Sequence, residues 1–190
     1  MKLAEEYKTL YEKILAEHRA VFERQSIDQL QDFIGVISNT KKIFVIGVGR
    51  EGIAAKAFAM RLMHLGKEVH WIWDDTTPGM HEGDLLIAVN GSGNIGHINF
   101  VIERALAAQT TVAVVTGSPS GKAASQLAHK VLFVPAAVYL GVDPVVESIQ
   151  PMGNLFEQHL FLLFDIIIML LQQRLNITHS EMAARHRNIE

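Results

Sequence analysis

The chain has 190 residues, 49% of them apolar, which is enough for one substantial core and excludes a disordered or fibrous chain. Lys and Arg number 17 against 20 Asp and Glu, a formal net charge of -3, so no basic surplus points to nucleic acid or to an anionic membrane surface. The lack of cysteine excludes disulfides, thiolate metal sites and thiol nucleophiles, and it agrees with a reducing compartment.

The start, MKLAEEYKTLYEKIL, is charged throughout and has no apolar signal-peptide core, which predicts a cytoplasmic protein. Residues 2–25 are rich in helix formers, and Ser26 with Gln29 has capping-box spacing ahead of Leu30, Phe33, Ile34 and Ile37. Two helices are therefore predicted before the first strand. Beyond them the pattern alternates: strand 42–46, helix 52–65, strands 68–73 and 85–90, helix 98–108, strand 111–115, a short helix 120–127 and strand 131–134. Five apolar strands with interleaved helices predict a mostly parallel sheet covered on both faces, in a single domain over residues 1–190. Its parts are N-terminal helices 1–40, an α/β core 41–175 and a tail 176–190.

Residues 135–152 have no clear period and hold or border three of the five prolines; a long irregular loop in a compact domain is usually functional. Asn154 is predicted to cap a helix running to about residue 175. Within it, LFLLFDIIIMLL is a 12-residue apolar run containing Asp165, short of the about 18 needed to span a membrane, so a buried helix is expected. A helix apolar nearly all round needs cover on more than one side, which predicts an oligomer. Thr178 with Glu181 makes a third cap signature before the tail.

Two segments carry the chemistry. KIFVIGVGREG, 42–52, and DLLIAVNGSGNIG, 84–96, are each an apolar run that breaks into glycines and hands over to helical spacing. A buried strand ending in a glycine turn at a helix N-terminus presents free N–H groups to an anion. Two such loops on one sheet predict a shared pocket for a small polar, phosphorylated ligand.

The glycine turn GVGREG, the stretch KAFAMRLMHLG, the loop NGSGN, the run SIQPMGNLFEQ and the tail RHRNIE together resemble the sugar isomerase (SIS) domain family, and within it the phosphohexuloisomerases. The resemblance covers nearly the whole chain. It implies a flavodoxin-like three-layer α/β/α sandwich on a five-stranded parallel sheet, a homotetramer with active sites at subunit contacts, and no metal or organic cofactor. The implied reaction interconverts a 3-hexulose 6-phosphate and fructose 6-phosphate. This chain departs from the family pattern at Glu51, where Ser or Thr is usual, and in Asn90, Gly91, Ser92, Gly93, Asn94 and Ile95, where SGSGET is usual. A carboxylate at Glu51 is expected to repel a phosphate dianion by ~1 kcal/mol in water unless Arg50 or Lys56 neutralises it.

Moving a carbonyl along a sugar needs a base beside the carbonyl and a group that shuttles protons between enediol oxygens. Glu157 matches the family's LFEQ glutamate and is the candidate base; its other reading is a cap, at N3 of an Asn154-capped helix. His64 shares a helix face with Ile53, Ala57 and Met60 and is either a packed histidine or a proton-transfer group by the match to RLMHLG. His186 is either exposed at the terminus or reaches a neighbouring subunit's pocket. Gly47, Gly49, Arg50, Glu51, Asn90, Gly91, Ser92, Gly93, Asn94 and Thr116 are the candidate substrate-binding residues, with Arg50 alternatively pairing with Glu51 at the surface and Thr116, Ser118 and Ser120 alternatively forming a plain turn.

The nine histidines show no HxxxH pair on a predicted helix, so no metal site is expected, and no dinucleotide site is expected. Trp71 and Trp73 share one strand face by period two and read as core or subunit contact. Two other functions stay open: an isomerase of a different sugar, either an unusual phosphate or an unphosphorylated ketose, which Glu51 and Ile95 suit, and a non-catalytic sugar-phosphate-binding protein.

Overall fold

The structure, a computed structural model, describes residues 2–189. Glu190, the last residue of the RHRNIE tail, lies outside the described residues.

Side-chain alternation builds the layers. In β1 (Lys42–Ile46), Ile43 and Val45 enter one apolar layer and Phe44 and Ile46 the other; in β3 (Leu85–Val89), Leu85, Ile87 and Val89 separate from Leu86 and Ala88 in the same way. Both faces being apolar is why these strands read as unbroken hydrophobic runs. With β2 (Glu68–Trp71), β4 (Thr111–Thr116) and β5 (Lys130–Phe133) they form a five-stranded parallel sheet of order β2-β1-β3-β4-β5. One face carries α1 (Lys2–Arg24), α2 (Ile27–Asn39), α3 (Gly49–His64) and α5 (Asn154–Arg174). The other carries α4 (Gly96–Ala107) and a π-helical turn at Ala123–Leu127, where the sequence predicts a short helix. The predicted three-layer sandwich is the observed architecture.

Two neighbouring strands, β1 and β3, lead into helices on opposite faces, so their C-terminal loops diverge and leave a crevice at the switch point. The first loop is set by close packing. A Cβ on Gly47 would stand 2.9 Å from Gly52 Cα, and one on Gly52 2.7 Å from the Gly47 carbonyl carbon, so only glycines let α3 start this near β1. Gly47, Gly49 and Gly52 keep the GxGxxG spacing of dinucleotide turns, a weak signal by itself.

Several local expectations change. Ser26 Oγ accepts the Gln29 N–H at 3.3 Å, but the Gln29 side chain does not close the capping box. It accepts from Phe133 N–H at 3.0 Å while Gln25 Nε2 donates to Phe133 O at 2.9 Å, and this covers the free edge of β5. Strand β2 stops at Trp71, so the tryptophans do not share a strand face: Trp71 packs on the core, and Trp73 sits 52% exposed in the following turn. Asn154 is not the cap of α5; Gly153, at φ +77°, precedes the helix and no side chain caps it.

Helix α5, 21 residues, is long and apolar enough to cross a membrane, beyond the 12-residue run in the sequence. Nine of its side chains are buried in the domain core, which identifies it as a core helix. Its far side leaves Phe161, Leu162 and Met169 exposed beside Ile53 and Met60 of α3.

Candidate active site

A cavity of about 240 Å³ fills the crevice at the switch point. Gly49, Arg50 and Glu51 reach it from the start of α3, and Gly91 and Ser92 from the loop after β3. The third wall is the start of α5, with Phe156 and Glu157, and Tyr139 and Leu140 of the irregular loop close over it.

Two carboxyl groups and one guanidinium set its electrostatics. Arg50 Nε stands 3.0 Å from Glu157 Oε2, an ion pair whose N–H is not aimed at the oxygen, so that Oε2 carries no hydrogen bond. Glu157 is thus not a helix cap. Its desolvation raises the carboxyl's pKa, and the Arg50 charge opposes the rise.

Glu51 is 8% exposed, its Oε2 accepts the Gly91 N–H at 2.9 Å, and its Oε1 is buried without a partner. Burial, reinforced by the Glu157 charge and opposed by the Gly91 N–H, pushes its pKa up to about 8. The anticipated neutralisation by Arg50 or Lys56 does not occur, because Arg50 is committed to Glu157 and the Lys56 ammonium lies over the Trp71 ring, 5.4 Å from its centroid. Burial instead favours the protonated form of Glu51.

A model of the SIS domain matches residues 36–146, more than half of the chain. The chain belongs to the SIS domain family. This SIS domain is 34% identical over 171 residues to a 3-hexulose-6-phosphate isomerase of Bacillus subtilis, covering 90% of each chain. A protein of the same name from Methanocaldococcus jannaschii is 32% identical over 162 residues, 85% of this chain and 84% of that one. Among solved structures, a hypothetical protein of Methanococcus jannaschii, whose structure was used to infer 3-hexulose-6-phosphate isomerase function, superposes with TM-score 0.83 at 27% identity, over 96% of this chain and 99% of that one.

Of the residues the sequence singles out, this SIS domain gathers Gly49, Arg50, Glu51, Gly91, Ser92 and Glu157 around the cavity. The others hold the loops rather than line them. Asn90 is fully buried, donates from Nδ2 to Asn99 Oδ1 and accepts the Ile95 N–H. Gly47 is packed against Gly52, and Gly93 against Gly121. Asn94 is exposed and its Oδ1 accepts the Lys122 N–H at 3.1 Å. Thr116 is fully buried, its hydroxyl donating to Gly91 O at 3.0 Å, while Ser118 and Ser120 donate to Asp143 of the irregular loop. Buried polar groups must find partners, and loop backbones provide them.

His64 and His186 come together, but elsewhere. Their rings stack at 5.3 Å in a cavity of about 560 Å³ walled by α3, α5 and α6 (His179–Ala184), which shares no residue with the Glu157 pocket. The separation follows from one helix: Glu51 and His64 lie at opposite ends of α3, about 20 Å apart at 1.5 Å per residue. His64 is 3% exposed, and burial with the nearby Arg61 and His186 holds its pKa below the usual imidazole range. Among the described residues no group of three His, Asp or Glu converges as a metal site.

The sequence reading missed the walls made by Val138, Tyr139, Leu140 and Phe156. For the first three the signal was the irregular loop itself, whose apolar residues had no helical or strand period to explain them, whereas Phe156 lies on α5 within the LFEQ run.

Proposed function

We propose that this chain is a sugar-phosphate isomerase that interconverts a 3-hexulose 6-phosphate and fructose 6-phosphate, as the relatives' names state for them. The observation that carries the reading is Glu157: an ionisable carboxyl with a raised pKa, paired with Arg50, in a pocket between two glycine loops. In the forward direction Glu157 removes the proton on carbon 2, the carbon 3 carbonyl oxygen gains a proton, and a 2,3-enediol forms. The oxygen on carbon 2 then loses its proton, and carbon 3 receives one from the protonated Glu157. Arg50 orients substrate oxygens and keeps Glu157 ionised until the proton is taken.

We place the enzyme in the cytoplasm as a homotetramer. A cavity of about 240 Å³ is small for a hexose phosphate, and a second subunit supplies the missing wall. The exposed apolar residues of α3 and α5 support this contact, and the His64–His186 cavity of one subunit is the surface offered to the Glu157 pocket of another. This restores a proton-transfer role to both histidines.

The test is proton exchange. Fructose 6-phosphate incubated with the protein in heavy water is expected to lose its carbon 3 proton signal by NMR. Exchange at carbon 1 instead points to aldose–ketose chemistry, and binding without exchange refutes catalysis.

A further inference from the structure

Three helices begin at the Glu157 pocket. Gly49 and Arg50 open α3, Ile95 precedes α4 and Gly153 precedes α5, and all four line it. The three helix dipoles place positive potential on one small volume, although in α5 the Asn154 N–H already donates to Pro151 O and the Phe156 N–H to Ala137 O. Arg50 on α3 adds to this potential, and Glu157 on α5, Glu51 on α3 and the Tyr139 phenol on the irregular loop complete the charged or titratable side chains lining the cavity.

Glu51 is the anomaly. It is more than nine-tenths buried, one oxygen is anchored on the Gly91 N–H and the other has no partner. Ionised, it would be a buried carboxylate facing Glu157 with an unsatisfied oxygen. Protonated on Oε1, it is a donor that lacks only an acceptor. Cations are disfavoured by Arg50 and three helix N-termini, and a neutral hydroxyl draws nothing from those dipoles. A phosphoryl oxygen satisfies both the dipoles and the donor.

We propose that Glu51 is a phosphate-holding acid: Oε2 stays on Gly91, the proton on Oε1 is donated to a phosphoryl oxygen, and the pocket accepts a phosphate ester only while Glu51 keeps that proton. The choice of ligand rests on the isomerase reading, while the proton dependence rests on the geometry. The raised pKa of about 8 agrees, since it leaves Glu51 neutral where a phosphate ester is already a dianion. Glu51 thereby takes the place of a hydroxyl without adding charge to the site.

The experiment is calorimetric titration of the full-length protein with fructose 6-phosphate from pH 7 to 9.5, in buffers of different ionisation enthalpy, with unphosphorylated fructose as control. Affinity is expected to fall about thirtyfold between pH 7 and 9.5, with net proton uptake on binding above pH 8. In Glu51→Gln the ratio of dissociation constants across that range is expected to shrink below about twofold, since an amide does not ionise. Wild-type affinity that is flat with pH, binding without proton uptake, fructose bound as tightly as its phosphate, or no binding at pH 7 overturns the proposal. The wild-type readouts need no variant, so misfolding of Glu51→Gln does not rescue it. Carbon 3 exchange is scored separately: proton-linked binding without exchange keeps this assignment and removes the isomerase, whereas exchange with pH-flat binding does the reverse.

Discussion

Glu51 Oε2 accepts the Gly91 N–H at 2.9 Å, and this bond ties the glycine loop after β1 to the glycine loop after β3. The contact leaves no room for a side chain at Gly91: an added Cβ would lie 2.6 Å from Glu51 Oε2 and 3.1 Å from Phe156 Cε1. Gly91→Ala is expected to push Glu51 off the amide and to destabilise the fold by about 1–3 kcal/mol. Denaturant unfolding measures the loss, and a raised KM in the same variant shows that the bond also shapes the pocket.

Glu157→Gln removes the proposed base and the negative partner of Arg50 while keeping the side chain's size. A kcat lower by about 10²–10⁴ is expected, with fructose 6-phosphate still bound. Activity retained in this variant sinks the assignment of Glu157.

Glu157 and His186 occupy separate cavities of one chain, so a site shared between subunits allows rescue. Glu157→Gln and His186→Asn homomers are each expected to be weakly active. Unfolding and refolding the two together is expected to restore activity, because some pockets then combine two intact halves. No recovery on mixing places the whole site within one subunit.

Stability on the alkaline side is expected to follow Glu51. The folded chain holds this proton up to about pH 8 and the unfolded chain only to about pH 4.5, so the stabilisation is complete below pH 4.5 and is lost as the pH rises to 8. The slope reaches up to ~1.4 kcal/mol per pH unit. Urea midpoints from pH 5 to 8 measure it, and Glu51→Gln is expected to flatten the decline.

On the acid side the group is His159, which is fully buried, 3.1 Å from His18 through the Nδ1 atoms, with its pKa pushed down to about 4 by burial and by the His18 charge. The unfolded chain takes up this proton first, so the stability is complete above pH 6.5 and is lost as the pH falls toward 4, by roughly 3 kcal/mol in all. Because the Glu51 contribution grows over the same pH range, the loss is expected to show in the Glu51→Gln background, in thermal unfolding followed by circular dichroism between pH 7 and 4, and adding His159→Leu to reduce it.

The sheet and its order of helices were legible in the sequence because buried parallel strands are continuous apolar runs and glycines interrupt them where helices begin. Thr178 with Glu181 forms the predicted capping box in full, since both of its partners lie within one turn. The same spacing misled at Asn154 and Glu157, where the glutamate found Arg50, distant in sequence, instead of its own helix end.

By itself, then, the order of residues determined the parallel sheet covered on both faces and the two glycine loops, which depend on periodicity and on neighbours along the chain, while Glu157 as a base candidate came from the resemblance of its LFEQ run to the family. Only the tertiary structure decided that Glu51 is buried with its pKa pushed up, that Asn90 and Thr116 serve the loops, and that His64 lies at the far end of α3 from the pocket. Protonation and partner choice depend on burial and on which atoms meet across the crevice, and those are set by the packing of β1, β3 and α5 rather than by spacing in the sequence.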